Sequence, residues 1–103
     1  MIRSEHWNDA DGNPAGGTTF GRGFAIGWQN GPLGRGADRK EPNGAFVEDI
    51  ISAALDRLEY YQASAFASEY NARAIVGLRD ALWALNERTS DRELRDVEGT
   101  HAQ

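Results

Sequence analysis

The apolar residues change their spacing part-way along the chain. Early in the sequence, Phe24, Ile26 and Trp28 occupy alternate positions. This period of two is that of a β-strand with one buried face. It predicts extended structure over residues 18–29, folded into a hairpin of two short strands near Gly21–Gly23.

From residue 45 onward the apolar positions follow a helical period. Apolar residues at spacings of three, four and seven predict a first helix from about Ala45 to Phe66. The same spacing predicts a second helix that starts after Ser68, its N-cap, and runs to about Asp91 or Arg95. Because so few residues join the two helices, we expect them to pack antiparallel as a helical hairpin.

Glycine, proline and polar residues fill the segments outside these elements. Residues 1–17 are predicted to be a loose terminus, and residues 30–44 a loop in which Asn43 or Gly44 caps the first helix. The predicted fold class is α+β, a small N-terminal antiparallel β-sheet followed by a long antiparallel two-helix hairpin. A chain of 103 residues has room for one domain. Its predicted parts are a flexible terminus (1–17), a β and loop region (18–44), the helical hairpin (45–95) and a tail (96–103).

Composition and charge narrow the classes of function. The chain has no cysteine, which excludes disulfides, thiol catalysis and thiolate metal sites. It shows no apolar secretory region and no apolar run of the roughly 20 residues that span a bilayer, so a cytoplasmic protein without membrane contact is expected. With a net charge of −5, DNA or RNA is not an expected partner. Arginines nevertheless cluster in residues 22–40 and 88–95, which suits a small anion.

The second cluster, Arg88, Arg92 and Arg95, lies on one face of the predicted second helix because its members are four and three residues apart. Guanidinium groups bind phosphate oxygens through two parallel hydrogen bonds and keep their charge in water. The alternative is a solvated face whose arginines pair with neighbouring acids and complement the helix dipole.

Arg35 lies in the glycine-rich loop Gly31–Gly36, between a predicted strand and a predicted helix. Backbone N–H groups in this context attract phosphate. The glycine spacing matches neither a Walker loop nor the dinucleotide fingerprint, so a flexible connector is the alternative.

Aromatic residues could supply a stacking surface for a base. For Phe46 the alternative is core packing. Tyr60 and Tyr61 are adjacent and cannot both face the hairpin core, so one of them points to a subunit interface or a ligand.

Catalytic groups are poorly represented in the sequence. His6 and His101 lie in the terminal segments, so a metal site that uses both is not expected. No nucleophile–base motif is present. The sequence therefore favours a protein that binds a nucleotide without changing it over an enzyme.

Four stretches together match a known pattern, residues 23–33, 43–49, 57–62 and 88–101. The last has the form R-T-x-x-R-x-x-R-x-V-E-G-T-H. The chain resembles the phage Thoeris anti-defence sponge proteins, whose hairpin domain is shared with the anti-CBASS sponges. The resemblance extends over residues 18–103.

The resemblance implies a sheet followed by two long helices, assembled as homodimers that can associate into hexamers as trimers of dimers. Such proteins sequester cyclic ADP-ribose isomers made by TIR-domain immune enzymes, and related members also hold cyclic oligonucleotides. The implied partner is therefore a small-molecule cyclic nucleotide signal in the host cell cytoplasm. No cofactor is implied.

The resemblance also implies roles for residues near the C-terminus. Arg92 and Arg95 would bind the pyrophosphate, with Arg88 as support, while Thr100 and the Gly99 backbone would close over the ligand. Asp96 departs from the family, which has glycine there, and puts the conformation of the tail in doubt.

The remaining implied ligand contacts come from the first half of the chain. Phe46 would stack on the base and Asn43 would read a base edge or a ribose. Trp28 would face the same pocket from the sheet, and Arg35 would fold over the ligand or onto a partner subunit.

Two other functions are compatible with the residues. The first is a helical-hairpin module that binds or inhibits another protein, which would leave an exposed apolar stripe on the hairpin uncovered by self-association. The second is a phosphodiesterase-like enzyme that degrades the signal, which needs a base or metal site.

Overall fold

The computed structural model describes residues 1–94, which form an antiparallel sheet followed by two helices. The three strands lie in the order β1-β2-β3, so each pairs with its neighbour in the chain. The predicted α+β class is confirmed. The bounds of the elements are Arg3–Asn8 (β1), Pro14–Gly21 (β2), Phe24–Trp28 (β3), Val47–Gln62 (α1) and Glu69–Leu94 (α2).

The prediction of a loose terminus over residues 1–17 is wrong, because β1 and the first half of β2 lie there. Every residue of β1 is exposed, so the strand carries no alternation of apolar and polar residues that the sequence could reveal. The polar residues after it form the turn instead. Asp9 accepts hydrogen bonds through its side chain from the N–H groups of Asp11, at 2.9 Å, and Asn13, at 3.0 Å.

The predicted hairpin near Gly21–Gly23 is confirmed. β2 ends at Gly21, which pairs with Phe24 at the start of β3. Gly23 has a φ of +81°, a conformation that glycine adopts without steric cost. A tight turn therefore joins the two strands.

On one face of the sheet, the side chain of Thr19 in the middle strand is buried. It pairs with Ser4 of β1 and with Ile26 of β3, and only 7% of its surface is exposed. Its hydroxyl lies 2.9 Å from the Ser4 hydroxyl. The sheet therefore buries a hydrogen-bonded polar side chain where the apolar pattern predicted an apolar face.

The first helix is shorter than predicted. α1 begins at Val47 and ends at Gln62, so the predicted residues 63–66 are turns. The prediction that Asn43 or Gly44 caps this helix is wrong, because the residue directly before Val47 is Phe46 and the Asn43 side chain bonds to Asn30 instead.

The predicted cap of the second helix is confirmed. The Ser68 hydroxyl oxygen accepts the Asn71 N–H at 3.0 Å, which satisfies a backbone donor of the first turn of α2. Gln62, the last residue of α1, accepts the Ser68 N–H at 2.8 Å through its side chain. These two bonds hold the connection between the helices.

The predicted hairpin is confirmed, and an ion pair links its helices. Glu59 near the end of α1 contacts Arg79 of α2 at 2.8 Å. Ile75 is buried, and a set of side chains on the two helices is half-buried. They are Ile50, Ile51, Leu55, Leu58 and Tyr61 on α1, and Leu78, Ala81, Leu82 and Leu85 on α2.

The described chain divides into two compact units. One comprises Met1–Phe46 with the end of α2 from Arg92, and the other is Val47–Asp91. Within residues 1–94, neither helix is long and apolar enough to cross a bilayer.

Candidate ligand-binding site

Backbone hydrogen bonds tie the segment before α1 to the end of β3. Ala45 forms a parallel bridge with Trp28, in which its N–H donates to the Gly27 carbonyl at 2.7 Å. The Ala45 carbonyl accepts the Gln29 N–H at 2.9 Å. Phe46 follows directly, so the sheet fixes the backbone that carries this candidate stacking residue.

Gly44 permits this approach because it has no side chain. A Cβ atom there would lie 2.6 Å from both the carbonyl carbon and the oxygen of Trp28, closer than real Cβ contacts. Both of these are backbone atoms and cannot turn aside as a flexible side chain would. The close approach of the two backbones therefore requires glycine at residue 44.

Asn43 closes the neck of the loop that precedes α1. Its side-chain oxygen accepts the Asn30 N–H at 2.8 Å, and its side-chain nitrogen donates to the Asn30 carbonyl at 3.1 Å. Gln29 adds a third bond, since its side-chain oxygen accepts the Asn43 N–H at 2.9 Å. The amide predicted to read a base or ribose thus has a structural role in the loop, and its contact with a ligand stays a prediction.

The loop beyond this neck is folded rather than extended. The Lys40 N–H donates to the Leu33 carbonyl at 2.7 Å, and Gly36–Asp38 forms one turn of 3₁₀ helix. Arg35 immediately precedes this turn and is exposed, and its carbonyl accepts the Asp38 N–H at 3.1 Å. The loop therefore has internal hydrogen bonds around Arg35, and the alternatives of a phosphate-binding loop and a flexible connector both stay predictions.

Trp28 is oriented by a hydrogen bond inside the sheet. Its indole N–H donates to the Thr19 hydroxyl at 2.8 Å, and that hydroxyl contacts Ser4. The polar edge of the indole is thus occupied, while the half-buried ring keeps an accessible surface. A ligand would meet Trp28 through its ring, by stacking or apolar contact.

The structure describes Arg88 and Arg92 and places them one turn apart near the end of α2. Arg88 is exposed and Arg92 is half-buried. Arg92 belongs to the same compact unit as Trp28, Asn43, Phe46 and Arg35, the candidates from the first half of the chain. The candidates Arg95, Gly99 and Thr100, together with Asp96, lie outside the described residues.

A cluster that the sequence analysis did not assign to the site lies on α1. The central carbon of the Arg57 guanidinium group is 5.0 Å from the ring centroids of both Tyr60 and Tyr61. The Arg57 Nε–H donates to the Tyr61 hydroxyl at 3.2 Å, and this bond raises the pKa of Arg57 above its ordinary value. The sequence could have indicated this cluster, because Tyr60 and Tyr61 follow Arg57 by three and four residues, and residues at these spacings meet on a helix surface.

Residues 1–94 bring together no group of three or more histidine, aspartate or glutamate side chains with the geometry of a metal site. What the candidate residues offer is cationic and aromatic. Guanidinium groups can neutralise phosphate, and aromatic rings can stack on a base.

No protein-family model matches the chain. Over 59 residues the chain is 51% identical to a protein named Thoeris anti-defense 1 from Bacillus phage SBSphiJ7. The resemblance to the Thoeris anti-defence family is confirmed. The match spans 57% of this chain and 42% of Thoeris anti-defense 1, so less than half of the relative is covered. The name Thoeris anti-defense 1 describes the relative's role and specifies no ligand.

Proposed function

We propose that this protein is a phage anti-defence sponge, which binds a cyclic ADP-ribose-type immune signal in the host cytoplasm and sequesters it without degrading it. Cyclic oligonucleotides are a second class of candidate ligand. The observation that carries the proposal is the 51% identity to Thoeris anti-defense 1 over 59 residues. The candidate residues support it, since they offer what a nucleotide needs, cationic groups for phosphates and aromatic rings for a base.

Sequestration sets a demand on affinity. A protein that does not turn its ligand over must outcompete the immune effector, and nanomolar binding corresponds to about −12 kcal/mol. One hydrogen-bonded guanidinium–phosphate pair supplies about 2–3 kcal/mol. Several such contacts and a stacked base must therefore act together.

Among the described candidates, Arg92 and Phe46 meet these needs best. Arg92 is half-buried, so its charge is less screened by water than that of an exposed arginine. Phe46 is 36% exposed and follows the bridge between Ala45 and Trp28, so its backbone is held before a ligand arrives. Such preorganisation reduces the entropic cost of binding.

A homodimer, which could extend to a hexamer, is part of the proposal because side chains of the helical hairpin are left uncovered. Val76 and Trp83 on α2 are 57% and 68% exposed. A second copy of the chain that packs on the hairpin would bury these apolar side chains, and each square ångström buried contributes about 25 cal/mol.

The test of function is calorimetric titration of the purified chain with cyclic ADP-ribose isomers and cyclic oligonucleotides. The released ligand is then analysed by mass. Nanomolar binding with the ligand recovered intact supports the sponge. A ligand recovered with a changed mass makes the protein an enzyme, and the absence of heat with every ligand contradicts a nucleotide-binding function.

The second candidate function is a hairpin that binds another protein. The same exposed side chains favour it, provided that the chain does not cover them by itself. Sedimentation equilibrium separates the cases. A dimer is expected for the sponge, whereas a monomer that binds none of the nucleotides leaves the hairpin as a surface for a different protein.

A further inference from the structure

Two tyrosines on the same helix contact Arg57 and leave its terminal nitrogens exposed. Its Nε–H is used by Tyr61, and two aromatic rings hold the plane of the guanidinium group. Within residues 1–94 the two terminal nitrogens form no hydrogen bond and Arg57 forms no ion pair. These nitrogens are the edge with which arginine binds two oxygens of one anion.

The other arginines at this end of the hairpin differ from Arg57. Arg79 is neutralised by Glu59 at 2.8 Å. Arg73 lies over a single ring, that of Tyr70, at 5.1 Å, and no hydrogen bond fixes its orientation within the described residues. Among these three, only Arg57 combines a hydrogen bond that orients its guanidinium group with a charge that forms no ion pair within residues 1–94. The neighbouring Asp56 acts on this charge only through its electrostatic field. Because its rotamer freedom is already restricted, binding an anion costs it less entropy.

Tyr60 supplies a second element beside this cation. Its side chain is 63% exposed, and its hydroxyl has no hydrogen-bond partner within residues 1–94. Its ring centroid lies 6.0 Å from that of Tyr61, with the planes inclined by 54°. Tyr60 is therefore the one of the two adjacent tyrosines that points outward, and the ring face not covered by Arg57 can accept a planar base.

We propose that Arg57, Tyr60 and Tyr61 form a nucleotide phosphate site on α1, separate from the arginines at the end of α2. The terminal nitrogens of Arg57 bind two phosphate oxygens, Tyr60 stacks on the base, and Tyr61 positions the guanidinium group. The choice of a nucleotide as the ligand rests on the proposed function, whereas the assignment of an anion-binding edge rests on the geometry of Arg57.

The direct test is a nuclear magnetic resonance titration of the full chain, with the arginine Nε–H signals and the tyrosine ring signals as readouts. The probes are ADP, inorganic pyrophosphate and malonate. With ADP, saturable shifts of Arg57 and Tyr60 are expected, and with pyrophosphate a saturable shift of Arg57 alone. Equal, non-saturating shifts of Arg57 and Arg73 would overturn the site. A response to malonate as strong as that to pyrophosphate would overturn the phosphate assignment and indicate an acidic protein segment as the partner.

Variants of Arg57 distinguish the effect of its planar, two-pronged hydrogen bonding from the effect of its positive charge. Arg57→Lys keeps the charge but loses the planar fork, and a fall in ADP affinity of at least about tenfold is expected for a lost charge-assisted contact. Arg73→Lys is the matched control on α2 and should change the affinity less than twofold. Tyr61→Phe removes the positioning hydroxyl, so the Arg57 signal should broaden and the affinity fall part-way. Circular dichroism establishes that each variant is folded.

The two proposals fail in distinguishable ways. If no cyclic nucleotide binds but ADP and pyrophosphate move Arg57 as described, the sponge function fails and the phosphate site stands. If a cyclic ADP-ribose isomer binds tightly while neither it nor ADP moves the Arg57 and Tyr60 signals, the sponge stands and this site is overturned.

Discussion

Asn43 holds the backbone of Asn30 through both polar atoms of its side chain. One bond accepts the Asn30 N–H at 2.8 Å and the other donates to the Asn30 carbonyl at 3.1 Å. This reciprocal pair closes the loop between β3 and α1 at its neck. The ends of the loop that carries Arg35 are therefore joined by Asn30 and Asn43, which are thirteen residues apart in the sequence.

We predict that Asn43→Ala loosens this loop with a modest loss of overall stability. Because the bonds are exposed, the loss of the free energy of unfolding should be about 1–2 kcal/mol. Hydrogen exchange of the Asn30 amide should accelerate strongly, while that of the Asn71 amide on the helical hairpin stays unchanged. Asn43→Asp keeps the acceptor and loses the donor, so an intermediate exchange rate is the expected control. Unaltered exchange at Asn30 in the alanine variant would contradict the role of the pair.

Gly44→Ala should destabilise the protein, because its Cβ atom would meet the Trp28 backbone at 2.6 Å. Overpacking of this kind costs about 1–3 kcal/mol. Gly27→Ala is the matched control, since a Cβ atom at Gly27 meets nothing within 4 Å. Urea denaturation measures both variants, and the close approach is refuted if the two substitutions have the same effect.

Thr19→Val tests the hydrogen bond that orients Trp28. The substitution keeps the shape of the side chain and leaves the indole N–H without its partner, at a cost of about 1–3 kcal/mol. Thr18→Val, one residue away and on the opposite face of the sheet, should have a smaller effect. The midpoint of denaturation and the exchange rate of the Trp28 indole proton are the measurements. A protected indole proton in Thr19→Val would show that another group orients the ring.

Arg92→Ala should weaken nucleotide binding at least about tenfold, which corresponds to 1.4 kcal/mol and is less than one phosphate fork supplies. The oligomeric state should not change. Arg73→Ala removes the same charge from the other end of α2 and should bind as the parent chain does. Calorimetry with the ligand found for the parent chain, together with sedimentation, checks both statements. Parent-like affinity in Arg92→Ala would remove this residue from the site.

The sequence by itself determined the elements whose signal is local. The helical stripe around Ile75, the cap at Ser68 and the turn at Gly21–Gly23 all follow from spacing within a few residues, and the structure contains each of them. Local signals suffice here because a helix and a tight turn satisfy their backbone hydrogen bonds between near neighbours.

Only the tertiary structure decided the features that join distant residues. β1 has no apolar alternation and is held by its backbone pairing with β2, so composition alone predicted a loose terminus. Asn43 resembled a helix cap, but its hydrogen-bonding groups are used by Asn30, since a side-chain amide bonds equally well to any backbone that the fold brings near. Likewise, the Thr19 hydroxyl can form its hydrogen bonds only because the fold brings Ser4 and Trp28 beside it. Which polar group meets which partner is set by the chain's path in space, and spacing along the sequence does not record it.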